Sequence, residues 1–464
     1  MKKIIRACTV SQSIGFVAGM LPDLCKKYEV VILSSPGPEM DAVKDQVRTI
    51  AVPMERHISL KRDIISLWRM IKVFRKEKPD MVHSMTPKAG MLCMLAGWLT
   101  RVPVRVHTFT GLVFPTATGL QRRILMATDA LTCFCATHVI PEGEGVKADL
   151  LNNGITHKPL KVLGYGNVRG IDLKRFDPKR FNDNVNVNDN EFSIFNSQFS
   201  IKKTFLFVGR IVRDKGINEL MEAFQKLSEK HSDVRLLLVG PYEDGLDPIS
   251  QEARDIIANN KQVEAVGPKR GDDLLACYAA ADCFVFPSYR EGFPNTVLEA
   301  GAMGLPCIVT DINGSREIIT NESSYGNDNE NDNKERTRIS RISRIGNDNE
   351  NENENDNENE NKNRTRISRI SRMENENGTQ KALKSQKQDE NVVVKDNGLI
   401  IPSKDAEALY EAMEMMLTDT EMRKRMAGKA RKMIADRFEQ GFVRRCLYEF
   451  YDEILHTDLT DPAD

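Results

Sequence analysis

Two apolar runs, Cys283-Phe284-Val285-Phe286 and Cys307-Ile308-Val309, are separated by a turn-rich loop and a segment with helical spacing. The runs read as buried strands and the segment over 296–303 as a helix. Strand, loop, helix, strand is the repeating unit of a parallel α/β sheet. In such sheets ligands lie beyond the carboxyl ends of the strands. Glu291 and Gly292-Phe293-Pro294-Asn295 fall at that edge, where a helix start offers backbone N–H groups to a phosphate or a sugar hydroxyl. Glu299 lies about two turns further on, at roughly 3.6 residues per turn, so its carboxylate can face the same cleft.

The same alternation extends along the chain. Upstream, strands are expected over 4–10, 29–33, 81–84, 104–107, 136–140 and 160–163. Helices are expected over 14–27, 60–76, 89–99 and 120–135, with Ser59 as the N-cap of the second. Together they make one doubly wound domain. A second opens with a strand over 204–210 and continues through helix 217–230, strands 235–239 and 263–265, and helix 272–281. After 391 come apolar runs at 392–394 and 398–401, then helices over 405–417, 420–438 and 442–455.

A chain of 464 residues is long enough for two such domains with full cores. The expected division is 1–178 for the first domain, 179–203 for an irregular linker rich in Asn, Asp and Ser, 204–440 for the second domain, and 441–464 for a terminal helix. Residues 321–391 break the pattern. They are dominated by Asn, Asp and Glu and carry Arg-Thr-Arg-Ile-Ser-Arg-Ile-Ser-Arg twice. Such a tract has too little apolar content to form a core, and its excision would leave an ordinary short loop, so it is expected to be a disordered surface insertion.

Several function classes fall away. Lys+Arg is 66 against Asp+Glu 67, so charge gives no support to nucleic-acid binding, and the Arg/Ile/Ser repeats are neutralised by the acidic tracts around them. Nine scattered cysteines without C-x-x-C suit a reducing, cytoplasmic setting and no zinc site. No run reaches the roughly eighteen apolar residues of a membrane-spanning helix. The start, Met1-Lys2-Lys3-Ile4-Ile5-Arg6, is interrupted by Arg6 and reads as a buried strand, not a leader. No Walker A loop is present, and no G-x-G-x-x-G follows the first strand, which argues against a nicotinamide enzyme.

Other residues bear on chemistry. Gly209-Arg210 ends a strand and Lys215-Gly216 opens a helix, and two cations at one strand-to-helix edge suit a diphosphate. By spacing alone they also suit a solvated surface pair. Glu291 and Glu299 suit sugar or ribose hydroxyls, or equally a charge that favours the helix dipole. His107 ends an apolar strand, where a histidine is either structural or a ligand contact. The helix over 60–76 places Lys61, Arg62, Arg69, Lys72 and Arg75 among Ile64, Ile65, Trp68 and Phe74. Its apolar side is expected to pack on the sheet, leaving a basic face that is either solvated or docked on an anionic membrane.

As a set these residues resemble the retaining family 4 glycosyltransferases of the GT-B fold. The matching text is Phe207-Val208-Gly209-Arg210 with Lys215-Gly216, Phe286-Pro287-Ser288, Glu291-Gly292-Phe293-Pro294-Asn295 through Glu299, and Gly304-Leu305-Pro306. In the first half, His83-Ser84-Met85-Thr86-Pro87-Lys88 and Val106-His107-Thr108-Phe109-Thr110-Gly111 look like the bacterial branch that builds capsule, O-antigen or exopolysaccharide units on a lipid diphosphate. The resemblance covers nearly all of the chain except 182–200 and 321–391.

The resemblance implies two Rossmann-like domains facing a cleft, with the terminal helix returning to the first. It implies a nucleotide sugar, a UDP-sugar as expected donor, in the second domain and a lipid-linked sugar acceptor along the first. Arg210 and Lys215 would hold the diphosphate, Glu299 the ribose, and Glu291 with Gly292, Phe293, Pro294 and Asn295 the donor sugar and phosphate. His107 would contact the sugar near the reacting carbon, and Pro268-Lys269 would cradle the base. Where many members carry a glycine pair after the first strand, this chain has Ser11-Gln12-Ser13-Ile14-Gly15, which leaves Gly15 for that work. Lys88 is expected at the acceptor diphosphate. No cofactor or metal is expected, and the place of action is the cytoplasm or the inner face of its membrane. A nucleotide-sugar 2-epimerase of the same fold and a non-catalytic scaffold remain open alternatives.

Overall fold

A computed structural model describes residues 1–55, 59–181, 203–243, 245, 247–326 and 391–456. The first sheet has six strands: β1 (Lys3–Ala7), β2 (Glu29–Ser34), β3 (Arg48–Ala51), β4 (Met81–Met85), β5 (Val104–Phe109) and β6 (His138–Pro141). Its order is β3-β2-β1-β4-β5-β6, and every pairing is parallel. The second sheet contains β7 (Lys203–Val208), β8 (Val234–Val239), β9 (Val263–Gly267), β10 (Cys283–Phe286), β11 (Cys307–Thr310), β12 (Val393–Lys395) and β13 (Gly398–Ile401). Its order is β12-β13-β11-β10-β7-β8-β9. Both are doubly wound sheets. The order reverses beside β1 in one and beside β7 in the other, which are the places where such sheets bind ligands.

The strands form where branched and aromatic side chains run together. Phe205, Leu206 and Phe207 of β7 and Leu236, Leu237 and Leu238 of β8 are all buried, as expected for central strands covered by helices on both faces. Helix Ile217–Lys230 buries Ile217, Leu220, Met221, Phe224 and Leu227, one stripe at helical spacing. The terminal helix, Gln440–His456, buries Leu447, Phe450, Tyr451 and Leu455 in the same core as Ile4, Val30 and Val106 of the first sheet. Its Tyr451 hydroxyl meets Arg6 and His83, and the ring of Phe450 stands edge-on to His138 at 5.8 Å. The last helix therefore returns to the first domain.

Several expected elements differ. The helix over 14–27 is three pieces, Ser11–Ile14, Gly15–Ala18 and Leu21–Lys27, because Gly15 and Gly19 weaken it and Pro22 opens the last piece. Residues 160–163 form no strand; Leu160 and Leu163 cover the core beside β6 instead of extending the ladder. Ser59 makes no side-chain cap; its N–H donates to the Asp63 carboxylate at 3.1 Å. Most of the expected linker, 182–202, and all of the expected insertion except 321–326 and 391 lie outside the described residues. Helix Leu60–Glu77 turns Asp63, Ser66, Met70, Phe74 and Glu77 inward. Leu60, Ile64, Ile65 and Trp68 are exposed, Ile64 at 66 % and Trp68 at 56 %, so much of its apolar side faces away from the sheet.

Direct contacts join the two sheets' domains. The Glu317 carboxylate accepts from the N–H groups of Glu144 and Gly145 at 2.7 and 3.0 Å. Asn313 donates to Asp149 at 2.6 Å, and Asn167 to Asn295 at 3.1 Å. Gly292 passes so close to Thr110 that a Cβ there would lie 2.4 Å from the Thr110 carbonyl oxygen.

Candidate active site

The site lies where the carboxyl ends of β7 and β10 face those of β5 and β6. β10 ends at Phe286, and the chain loops through Glu291 into helix Asn295–Ala302. The loop is fastened to the one after β7. Tyr289 N–H donates to the Asp214 carbonyl at 2.9 Å, and Arg290 pairs with the Asp214 carboxylate at 3.1 Å. Gly216 has φ +71, and a Cβ there would sit 2.1 Å from the Pro287 carbonyl oxygen, so this approach needs glycine. The result is a direct ion pair between Lys215 and Glu291, with the Ser288 hydroxyl donating to Glu291 at 3.2 Å. Both charged side chains are largely withdrawn from solvent.

Lys215, Glu291 and the segment Gly292-Phe293-Pro294-Asn295 line one cavity of about 270 Å³, with Gly209 beside them. Phe16, Thr110 and Glu142 supply its first-domain wall. The cavity thus gathers the expected donor residues Lys215, Glu291, Gly292, Phe293, Pro294 and Asn295. Arg210 stands just outside this lining, in an ion pair with Glu243.

Other expected residues lie elsewhere. His107 is 1 % exposed and does not line the cavity. Its Nδ1 is 2.9 Å from the Ser84 hydroxyl, and its ring fills the space a side chain on Gly90 would take. Burial pushes its pKa down to about 3, which keeps it neutral. In this structure it packs the first domain, and Thr110, three residues on, lines the cavity. Lys88 is not at an open surface either: it pairs with Asp63 at 2.8 Å, tying helix Pro87–Leu99 to helix Leu60–Glu77. That pair gives Lys88 a packing role between the two helices.

Glu299 is buried on helix Asn295–Ala302 and accepts from the Tyr278 hydroxyl at 3.1 Å and from Arg169 at 3.2 Å. Burial raises its pKa despite the nearby arginine. A ribose diol at this carboxylate would share it with Arg169 and Tyr278. Gly15 lines a neighbouring cavity of about 150 Å³ with Phe16 and Arg169, so the glycine expected at the donor phosphate borders the cleft one step away. Pro268 and Lys269 follow β9 at the outer edge of the second sheet and line neither cavity. Among the described residues no group of His, Cys, Asp or Glu is placed to hold a metal ion.

Two family descriptions match the chain in tandem, a glycosyl transferase 4-like domain over residues 18–166 and glycosyl transferases group 1 over 189–358. A capsular polysaccharide biosynthesis glycosyltransferase, CapM of Staphylococcus aureus, is 34 % identical over 69 % of this chain and 82 % of its own. An Escherichia coli UDP-Gal:alpha-D-GlcNAc-diphosphoundecaprenol alpha-1,3-galactosyltransferase is 30 % identical over 63 % of this chain and 73 % of its own. The chain belongs to the family 4 glycosyltransferases of the GT-B fold, in the bacterial polysaccharide branch. The fold of Anabaena HepE in complex with UDP agrees, with a TM-score of 0.65 over 98 % of this chain and 100 % of that one at 14 % identity. The epimerase and scaffold alternatives give way to a hexosyltransferase of capsule or lipid-linked sugar biosynthesis.

Residues that the sequence reading of this glycosyltransferase does not single out also border the site. Glu142 follows Val139-Ile140-Pro141 at the carboxyl edge of β6, the same kind of position that drew attention to Glu291. It faces the cavity from the opposite domain. Thr110 and Arg169 stand in loops, where no periodicity marks them.

Proposed function

We propose that this glycosyltransferase moves a hexose from a UDP-sugar to a lipid-diphosphate-linked sugar, with retention of configuration and without a metal. The observation that carries the reading is the Lys215–Glu291 pair in the wall of a cavity shared by both domains, with Arg210 at the adjoining strand end. A donor with its sugar against the 291–295 loop brings its diphosphate to Lys215 and Arg210. As the bond from the sugar's anomeric carbon to the diphosphate breaks, charge develops on the leaving oxygen and these fixed cations stabilise it. The acceptor hydroxyl bonds to the same carbon on the same face, and its proton passes to the departing diphosphate. Each cation has a carboxylate partner, Glu291 or Glu243, so neither is a bare charge before the diphosphate arrives. The E. coli relative is named for a UDP-sugar and an undecaprenol-diphosphate-linked sugar, which supports the same substrate classes here.

Such an acceptor sits in a membrane, and the first domain offers a face for one. Helices Leu60–Glu77, Pro87–Leu99 and Gly119–Cys135 lie side by side. Most of the exposed large apolar side chains among the described residues stand on them, including Ile64, Trp68, Trp98, Leu120 and Phe134. Lys61, Arg62, Lys72 and Arg123 are exposed among these. Apolar side chains interleaved with cations fit an anionic lipid surface. We take this contact as peripheral, at the inner face of the cytoplasmic membrane; no described helix is long and apolar enough to cross one.

The test is UDP release by purified protein from a panel of UDP-sugars, with EDTA throughout, with and without membrane extract carrying lipid-linked sugars. Release that depends on the extract, and that falls roughly a hundredfold or more in Lys215→Ala, is the expected result. Release without acceptor, or none with any UDP-sugar, rejects the proposal.

A further inference from the structure

Glu142 is a carboxyl with an unusual address. It is 3 % exposed, yet it borders the donor-side cavity opposite Glu291. Its main chain is pinned on both sides: its N–H donates to the Phe109 carbonyl at 3.0 Å, and its carbonyl accepts from Asn167 N–H at 2.8 Å. The side chain accepts from the Val168 backbone N–H. Packing therefore fixes its direction, as a residue meant to meet a ligand requires.

The charges around it do not favour a carboxylate. Glu291 faces it from the second domain, and Glu317 lies on the helix that touches Gly143. Lys215, the cation in the cavity lining, is paired with Glu291. On its other side a small cavity of about 20 Å³ separates it from Arg6 and His83; that guanidinium is held by His83 Nδ1 at 2.7 Å and by the Tyr451 hydroxyl. Arg169, next to Val168 in the chain, is turned to Glu299. A nucleotide sugar would add a diphosphate to this field, so the form of Glu142 compatible with it is the neutral acid. A neutral carboxyl is a hydrogen-bond donor, which Glu291 is not while it pairs with Lys215.

Resting on the transferase reading above, we propose that Glu142 is a further substrate-contacting residue, its protonated carboxyl donating a hydrogen bond to a hydroxyl oxygen of the sugar being transferred. Burial, with Glu291 and Glu317 nearby, pushes its pKa up to about 8. The acid is therefore intact at neutral pH and ionises as pH rises through about 8, which removes the donor and sets a second anion against the diphosphate.

The experiment measures donor kcat/KM from pH 6 to 9.5, and inhibition by UDP, for wild type, Glu142→Ala and Glu142→Gln. Wild type should lose kcat/KM above about pH 8. Glu142→Ala should lose roughly tenfold or more at pH 7, with the UDP inhibition constant unchanged because UDP lacks the sugar. Glu142→Gln, a permanent neutral donor, should recover most of that loss and show no alkaline fall. Glu142→Ala with wild-type kcat/KM, an equal loss of UDP affinity in both variants, or an alkaline fall that persists in Glu142→Gln overturns the proposal while leaving the transferase reading intact. A wild type that turns over no UDP-sugar removes both.

Discussion

Lys88 and Asp63 show how one contact decides between two roles for a lysine. Their side chains are 9 % and 11 % exposed, and the pair bridges two helices. Breaking a buried pair strands its partner, at about 3–5 kcal/mol. Lys88→Ala should therefore lower unfolding free energy in urea by about that amount and leave the acceptor KM unchanged. Normal stability with a raised acceptor KM would return Lys88 to the acceptor site. At this scale the sequence was legible where a charged residue sat in a recognisable strand-to-helix motif, as Lys215 and Glu291 do. For Glu142 the sequence offered only its place at a strand edge; that it faces Glu291, far away in the chain, comes from the fold. For His107 the strand end likewise predicted the position but not the ring packing that Gly90 permits.

Among the elements, helix Leu60–Glu77 departs most from expectation. Its inward face carries Asp63, Ser66 and Glu77, each engaged: Asp63 by Lys88, Ser66 by the Pro53 carbonyl at 2.6 Å, and Glu77 by Arg48 and Lys3. Polar residues with partners can be buried, which frees Ile64 and Trp68 to face out. Burying a large apolar side chain contributes about 1.5–3 kcal/mol. The double variant Ile64→Ser, Trp68→Ser should thus bind vesicles containing anionic lipid roughly tenfold or more weakly in a sedimentation assay, with UDP release from a water-soluble acceptor analogue unaffected. Unchanged vesicle binding would assign the face to something other than lipid. Strands such as β7 and β10 were readable because their apolar runs are unbroken. β3 was not: Arg48-Thr49-Ile50-Ala51 is a half-exposed edge strand with no apolar run. Helix Gln251–Asn259 is not among the elements expected from the sequence, although the Ser250 hydroxyl accepts from Ala253 N–H at 3.1 Å as an N-cap.

At the scale of the whole molecule, two sheets of like topology are joined by direct contacts, and the Glu317 contact couples them in a particular way. Helix Glu144–Asn152 begins at Gly143, which has no side chain to cap it. Its first N–H groups are satisfied by a carboxylate from the other domain. Losing such a cap costs about 0.5–2 kcal/mol. Parting the domains therefore unravels the start of a first-domain helix, and the amides of Glu144 and Gly145 become a clock for opening. In native-state hydrogen exchange they should slow when UDP is added, and in Glu317→Ala they should exchange fast with or without it. Amides that ignore both UDP and the substitution would mean that the cleft opens about some other contact. The breathing of a two-domain enzyme is then recorded at two peptide groups outside the reaction cavity.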